Sequence, residues 1–131
     1  PIVLTPHDGE FARLAGLDET GRAEAASDFA VRHGCTVVRK GPETVCAFPD
    51  GDAAVLRAGN PGMAKGGSGD VLSGVVLALL GLGMDAFDAC CCAVWLHGRA
   101  GDLAAQEKGQ WGMTPTDLLE RLPQALREVT E

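Results

Sequence analysis

Residues 62–74 read GMAKGGSGDVLSG, and the apolar run Val71–Leu82 follows at once. Glycine is costly to order and contributes nothing to packing, so its crowding before a core-like helix needs a chemical reason. Two familiar phosphate loops can be tested first. A Walker A loop needs Lys-Ser/Thr after its second glycine; Gly62 and Gly67 have the right separation, but Ser68 and Gly69 follow. A dinucleotide fingerprint starting at Gly67 and Gly69 would need glycine or alanine where Leu72 stands. What remains is a glycine-rich turn opening onto a helix. Successive N–H groups in such a turn point to one place, and the helix dipole makes that place attractive to an anion. Gly66, Gly67, Ser68 and Gly69 are the residues of this anion hole.

Asp70 has two readings. A carboxylate in the first turn of a helix is favoured by the dipole, by about 0.3–1 kcal/mol at an exposed site, with no chemistry implied. Beside an anion hole, an aspartate can also take a proton from a hydroxyl while the N–H groups stabilise the phosphoryl group that the hydroxyl attacks. That is the arrangement phosphoryl transfer requires.

Outward from the turn, the elements follow in the order β-α-α-β-β-β-α-α-α. Ile2–Thr5 reads as a buried strand closed by Pro6, and Asp8–Ala15 as a helix presenting Phe11, Leu14 and Ala15. A second helix runs to Gly34, with Thr20 as its N-cap and Ala25 and Phe29 on its apolar face. Cys35–Arg39, Thr44–Phe48 and Ala53–Arg57 are strands, separated by KGPE and by PDGD, the latter a hairpin turn between antiparallel neighbours. Val71–Leu82 is apolar nearly all round, predicting a helix buried on most sides. Asp85 opens a long helix to about Glu107. Thr114 as N-cap, Pro115 at the first helical position and Asp117 in the first turn start the last helix, which runs to about Val129. Strands first and apolar helices later imply a layered α/β sheet. The chain is one domain or a fragment of one, with no repeat or linker.

The 131 residues suffice for one core, and 46% hydrophobic content argues against disorder. Eighteen glycines exceed the usual share of about 7% and favour α/β turns over a helical bundle. A net charge of -7 excludes holding nucleic acid or an anionic membrane by bulk attraction. Any phosphate is held locally. No segment is long and apolar enough to span a bilayer, and the opening PIVLTPHDGE lacks the basic and apolar regions of a signal peptide. The missing initiator Met points to processing, a fragment or an expression boundary. The five cysteines, three of them consecutive (Cys90, Cys91, Cys92), lack ligand spacing and read as reduced, mostly core residues of a cytoplasmic protein.

LTPHDGEFARL, KGPET and NPGMAKGGSGDVLSGVVLALL, in this order, resemble the C-terminal half of the ADP/ATP-dependent NAD(P)H-hydrate dehydratases. These belong to the ribokinase-like superfamily. The resemblance covers nearly the whole chain. The glycine–aspartate turn is shared with sugar and vitamin kinases; the TPH-x-GE segment separates the dehydratases from them. The resemblance implies a three-layer α/β/α sandwich lacking the N-terminal part of its sheet, so that the opening strand keeps one unpaired edge. It implies dehydration of hydrated NADH or NADPH, coupled to hydrolysis of ADP or ATP with Mg²⁺. By motif, Asp70 is the catalytic base near the hydrated nicotinamide. Gly69, with Gly66, Gly67 and Ser68, takes the nucleotide phosphate. His7 touches the hydrated dinucleotide, and Lys40, Gly41, Pro42, Glu43 and Thr44 border the AMP moiety.

Each has a plainer alternative. His7 can cap the helix after Pro6, and Lys40 can be a solvated turn lysine. The family usually has proline at Asp8, which would then be an N-cap, and threonine at Lys65, which would contact phosphate or solvent. His97 reads as a core histidine, Trp95 and Trp111 as packing residues, and Glu10 as a candidate for no more than an outer-sphere metal role; no dedicated metal site is visible. Two other functions fit the same turn: a kinase of a small alcohol such as a vitamin precursor, and a non-catalytic nucleotide-binding module. Self-association, or association with a missing N-terminal portion, follows from the unpaired edge.

Overall fold

The computed structural model describes residues 2–17 and 20–131; Pro1, Asp18 and Glu19, which fall within or beside the expected first strand and second helix, lie outside it. The chain divides into two compact units, Pro1–Arg57 with Met84–Cys91, and Ala58–Gly83 with Cys92–Glu131.

The first unit is built on a four-stranded sheet: β1 (Val3–Leu4), β2 (Thr36–Arg39), β3 (Glu43–Ala47) and β4 (Ala53–Arg57), in that spatial order. β1 and β2 are parallel, joined by the helices α1 (Asp8–Ala15) and α2 (Arg22–His33). The other pairs are antiparallel, with Val37 opposite Ala47 and Val45 opposite Val55. Among the described residues β1 is an edge, as expected. The PDGD hairpin also forms. Phe48 N donates to Asp52 O at 2.9 Å, Asp52 N to the Asp50 carboxylate at 2.9 Å, and Gly51 takes the positive φ of 96° that the turn requires.

Strand periodicity sends alternate residues to opposite faces. Val37, Val45 and Ala47 pack with Phe11 of α1 and Ala26 and Ala30 of α2; burying a side chain of Val or Phe size contributes about 1.5–3 kcal/mol. The opposite face carries Cys46 and Phe48. Phe48 meets Phe87 with ring centroids 4.9 Å apart. Burial, with the Cys91 and Cys90 thiols alongside, pushes the Cys46 thiol far above its ordinary range, and burial pushes Cys90 up to about 11. Both behave as small core residues. The sheet of this unit is therefore covered on both faces by helix, the expected α/β/α layering. One expectation fails here: α2 is capped by Gly21, not Thr20. Gly21 has φ 127°, so the chain turns there and leaves Thr20 one residue outside the helix.

The second unit contains a 3₁₀ turn (Pro61–Met63) and helices α3 (Ser68–Gly81), α4 (Ala86–Gly112, whose first residues belong to the first unit) and α5 (Pro115–Thr130). Its core joins Leu96, Ala100 and Leu103 of α4 to Leu118 and Ala125 of α5, with Val71, Val75 and Leu79 of α3 against them. α4 outruns its expected end at Glu107 and is broken at Gly109, whose φ of 74° and ψ of 159° no helix accommodates. α3 was expected to be buried on most sides; instead Leu72 and Val76 are buried while Leu77 is 71% exposed. Apolar composition all round does not itself supply neighbours for every face. Trp111 is likewise no packing residue, being 100% exposed. It follows the break at Gly109, where α4 no longer presents a regular stripe.

The start of α5 matches expectation. Asp117 N donates to Thr114 Oγ1 at 3.2 Å, and Thr114 N donates back to the Asp117 carboxylate at 2.9 Å. Those bonds, the backbone one foremost, hold the Asp117 carboxyl below its ordinary value. Thr114→Ala is expected to cost about 1 kcal/mol in chemical denaturation, the usual loss for a removed N-cap.

Candidate functional site

The glycine turn starts its helix three residues earlier than the apolar pattern suggests. Gly67 is the N-cap, at φ 102° and ψ −21°, a left-handed conformation that side-chain-bearing residues rarely adopt. Ser68, Gly69 and Asp70 are thus the first turn of α3. Ser68 N donates to Lys65 O at 3.2 Å and Val71 N to Gly67 O at 3.2 Å. No side chain caps this end, so among the described residues the Gly69 and Asp70 amides, which helix geometry leaves without partners, remain available. Open space surrounds the position a Cβ would take at Gly66. Asp70 itself is exposed, and among the described residues no donor or cation pairs with its carboxylate.

Neighbouring residues fix this turn. His97 Nε2 lies 2.9 Å from Ser68 O; a carbonyl only accepts, so the ring nitrogen donates. His97 is therefore tied to the turn rather than simply enclosed in the core. Asn60 accepts from Gly62 N at 3.0 Å and donates to Asp102 Oδ1 at 2.8 Å. A Cβ on Gly62 would come within 2.8 Å of Gln110 Cα and O, so the backbones need glycine there. Lys65, for which phosphate and solvent were the two readings, serves neither: its ammonium donates to the carbonyls of Gln110 at 3.0 Å, Trp111 at 3.2 Å and Met113.

In the first unit, His7 follows β1 and Lys40 follows β2. The two residues bridge as parallel partners, with Lys40 N donating to Pro6 O at 2.8 Å. Both therefore stand at the carboxyl ends of parallel strands, where ligands of open α/β sheets bind. His7 also caps α1: its Nδ1 accepts from Glu10 N at 3.1 Å, and Glu10 Oε1 accepts from His7 N at 3.1 Å. The plainer alternative for His7 is thus realised, and Glu10 is committed to that cap.

Asp8 is not an N-cap. It accepts from Arg39 Nε at 2.8 Å and Arg22 Nε at 3.0 Å. Arg22 extends to the next turn, donating to Glu43 O at 2.8 Å and Lys40 O at 3.3 Å. Arg39, 4% exposed, lies 4.3 Å above the Phe11 ring. Arg22 and Arg39 are the organising residues that sequence reading missed, because only tertiary pairing brings positions 8, 22, 39 and 43 together. The turn at 40–43 is held by Arg22 through its carbonyls, and a Cβ on Gly41 would come within 2.7 Å of Arg22 Nη2.

Burial alone would raise the Asp8 carboxyl, but the hydrogen bonds and charges of Arg39 and Arg22 outweigh it and hold it below its ordinary value of 3.8. A depressed carboxyl stabilises the fold above the unfolded value and loses that contribution as pH falls through the folded one. Asp8→Asn is expected to flatten the loss of thermal stability below about pH 4, as read by melting temperature against pH.

A model of the NAD(P)H-hydrate dehydratase family matches residues 1–124. The chain belongs to this family. A bifunctional NAD(P)H-hydrate repair enzyme of Thermofilum pendens is 48% identical over 100% of the chain and 26% of its own length. The crystal structure of the ADP/ATP-dependent NAD(P)H-hydrate dehydratase from Bacillus subtilis, co-crystallised with ATP and Mg²⁺, superposes with a TM-score of 0.92 at 38% identity, over 98% of this chain and 48% of that one. A ribokinase-like superfamily protein of Enterococcus faecalis gives 0.84 at 31%, over 96% of this chain and 44% of its own. The fold is thus ribokinase-like, and the chain spans about a quarter of the bifunctional relative and about half of the solved dehydratase. Among the described residues of this family member, no helix is long and apolar enough to cross a membrane.

Proposed function

We propose that this chain supplies the phosphate-binding turn and the catalytic base of a nucleotide-dependent NAD(P)H-hydrate dehydratase. The observation that carries the reading is the first turn of α3, where two amides and the Asp70 carboxylate stand together without partners among the described residues. In this reading the amides of Gly69 and Asp70, with Gly66, Gly67 and Ser68 leaving room for approach, hold the terminal phosphate of ADP or ATP. Their dipoles stabilise charge as it develops on the transferred phosphoryl group. Asp70 removes the proton from the C6 hydroxyl of the hydrated nicotinamide as its oxygen attacks the terminal phosphorus. The bond to the nucleotide breaks and AMP (from ADP) or ADP (from ATP) departs. The C6–O bond then breaks, phosphate leaves with the oxygen, and loss of a proton from the adjacent ring carbon restores the dihydronicotinamide. Phosphate leaves far more readily than hydroxide, which is why the nucleotide is consumed.

His7 contacts the hydrated dinucleotide, and Lys40, Gly41, Pro42, Glu43 and Thr44 border the AMP moiety, at the carboxyl ends of β1 and β2. Mg²⁺ would arrive with the nucleotide phosphates and would neutralise part of their charge; among the described residues no cluster of His, Cys, Asp or Glu is built to hold it. In this reading the protein works in the cytoplasm, and self-association or association with an N-terminal portion of the fold completes the substrate site.

The test is to incubate the full-length protein with hydrated NADH or NADPH and ADP or ATP, and follow dihydronicotinamide absorbance and nucleotide consumption. Restoration in step with nucleotide loss is expected. Nucleotide binding without turnover, or a stable phosphorylated alcohol formed from a panel of vitamin precursors, overturns the reading.

A further inference from the structure

We propose that Lys65 is a positioning residue that straps the anion turn to the C-terminal end of α4 and reaches the nucleotide phosphate only through that turn. The proposal rests on the phosphate-binding reading of the turn, but its geometry does not. A lysine ammonium beside a glycine turn is ordinarily taken as a phosphate ligand, and donor arithmetic argues otherwise. An ammonium has three N–H donors and no acceptor. All three are accounted for by the carbonyls of Gln110, Trp111 and Met113, leaving none to offer a phosphate oxygen.

The partners make physical sense. The last carbonyls of a helix have no partner within it and carry the negative end of its dipole. The break at Gly109 ends the regular ladder just before these three carbonyls, and a cation placed among them satisfies both demands. The other end of the strap is fastened as firmly. Lys65 N donates to Met63 O at 2.8 Å, and Lys65 O accepts Ser68 N at 3.2 Å. The same residue that grips α4 therefore also closes the turn that presents the Gly69 and Asp70 amides. Two further contacts join the same segments. The bare Cα face of Gly62 lies against Gln110 and Met113, and a Cβ on Gly67 would stand 3.3 Å from Pro115 Cγ. The placement of the anion hole is thus set by the segment joining α4 and α5.

Three variants test this in the full-length protein. Lys65→Met keeps the aliphatic stem and removes the donors; Lys65→Gln restores an N–H donor without the charge. Hydrogen exchange is measured on the protein without ligand, and KM and kcat are measured for ADP or ATP. In Lys65→Met, exchange of the hydrogen-bonded Ser68 and Val71 amides is expected to quicken about tenfold as local opening becomes easier. KM for the nucleotide should rise about tenfold with kcat within about twofold, the pattern of lost binding rather than lost chemistry. Lys65→Gln, with two donors and no charge, should recover part of the exchange protection and part of the KM. Unchanged exchange in Lys65→Met overturns the strap, and so does a Gln variant as impaired as Met, the result expected if the charge acted on phosphate directly. A protein that dehydrates no hydrated NAD(P)H defeats the proposed function instead, and the exchange comparison then decides the strap alone. Lys65→Arg serves as the third variant: it keeps the charge and offers five donors in a fixed fork, so it should recover exchange protection together with KM, and KM recovered without exchange protection overturns the proposal.

Discussion

Asp70→Asn is expected to lower kcat for nucleotide-dependent dehydration of hydrated NADH by about 10²–10⁴-fold, the range that a general base contributes, while nucleotide affinity stays within about threefold. Asparagine has the same size and shape, so the first turn of α3 should persist with its left-handed Gly67 cap. The backbone amides at positions 69 and 70 would still face the phosphate. Only the ability to take a proton is lost. No cation or donor pairs with Asp70 among the described residues, so the substitution breaks no ion pair and a fold defect is not expected. Stopped turnover with binding retained by calorimetry therefore isolates chemistry from structure. Turnover near the unsubstituted rate would remove Asp70 as the base, and loss of binding together with turnover would place its carboxylate in nucleotide binding instead.

The contrast between Asp70 and its surroundings also shows what a sequence can and cannot carry. The hairpin through PDGD, the capping box at Thr114 and the glycine turn were legible because each is encoded within a few residues. The start of α3 was not, because Ser68, Gly69 and Asp70 carry no apolar period. The helix begins there only because Gly67 supplies the left-handed cap. Lys65 and Arg22 were opaque for a different reason. Lys65 is satisfied by carbonyls 45 to 48 positions away, and Arg22 by those of Lys40 and Glu43. Backbone carbonyls have no sequence signature, so a cation that serves them looks like any surface cation. The same blindness made Asp8 look like a cap. Trp111 misled in the opposite direction: large apolar residues are buried more often than not, yet Trp111 follows the break at Gly109 and is fully exposed.

The same substitution, glycine to alanine, is expected to act with opposite sign at two positions of the second unit. Gly98 lies in α4 where a Cβ would meet the Cβ of Ala58, with Gly59 N within 2.7 Å and Ala58 C within 2.8 Å. These atoms are backbone or directly attached to it and cannot swing aside. Overpacking of this kind costs about 1–3 kcal/mol, and Gly98→Ala should fall at the upper end. Gly74, in the middle of α3, has nothing within 4 Å of where its Cβ would be. There alanine only removes the entropic cost of a helical glycine, a gain of about 0.5–1 kcal/mol. Urea denaturation of the two variants beside the unsubstituted protein should bracket it on both sides, with unchanged slopes if both remain two-state. The effect at Gly98 should also travel to the site. Ala58 and Gly59 lead directly into Asn60, whose side chain holds Gly62 N and Asp102, and Gly62 sits against the segment that Lys65 grips. Gly98→Ala should therefore raise the nucleotide KM as well as lower stability, whereas Gly74→Ala should leave KM unchanged. Unchanged stability in Gly98→Ala would mean that the backbones there can separate without cost, contrary to the close approach on which the placement of the turn depends.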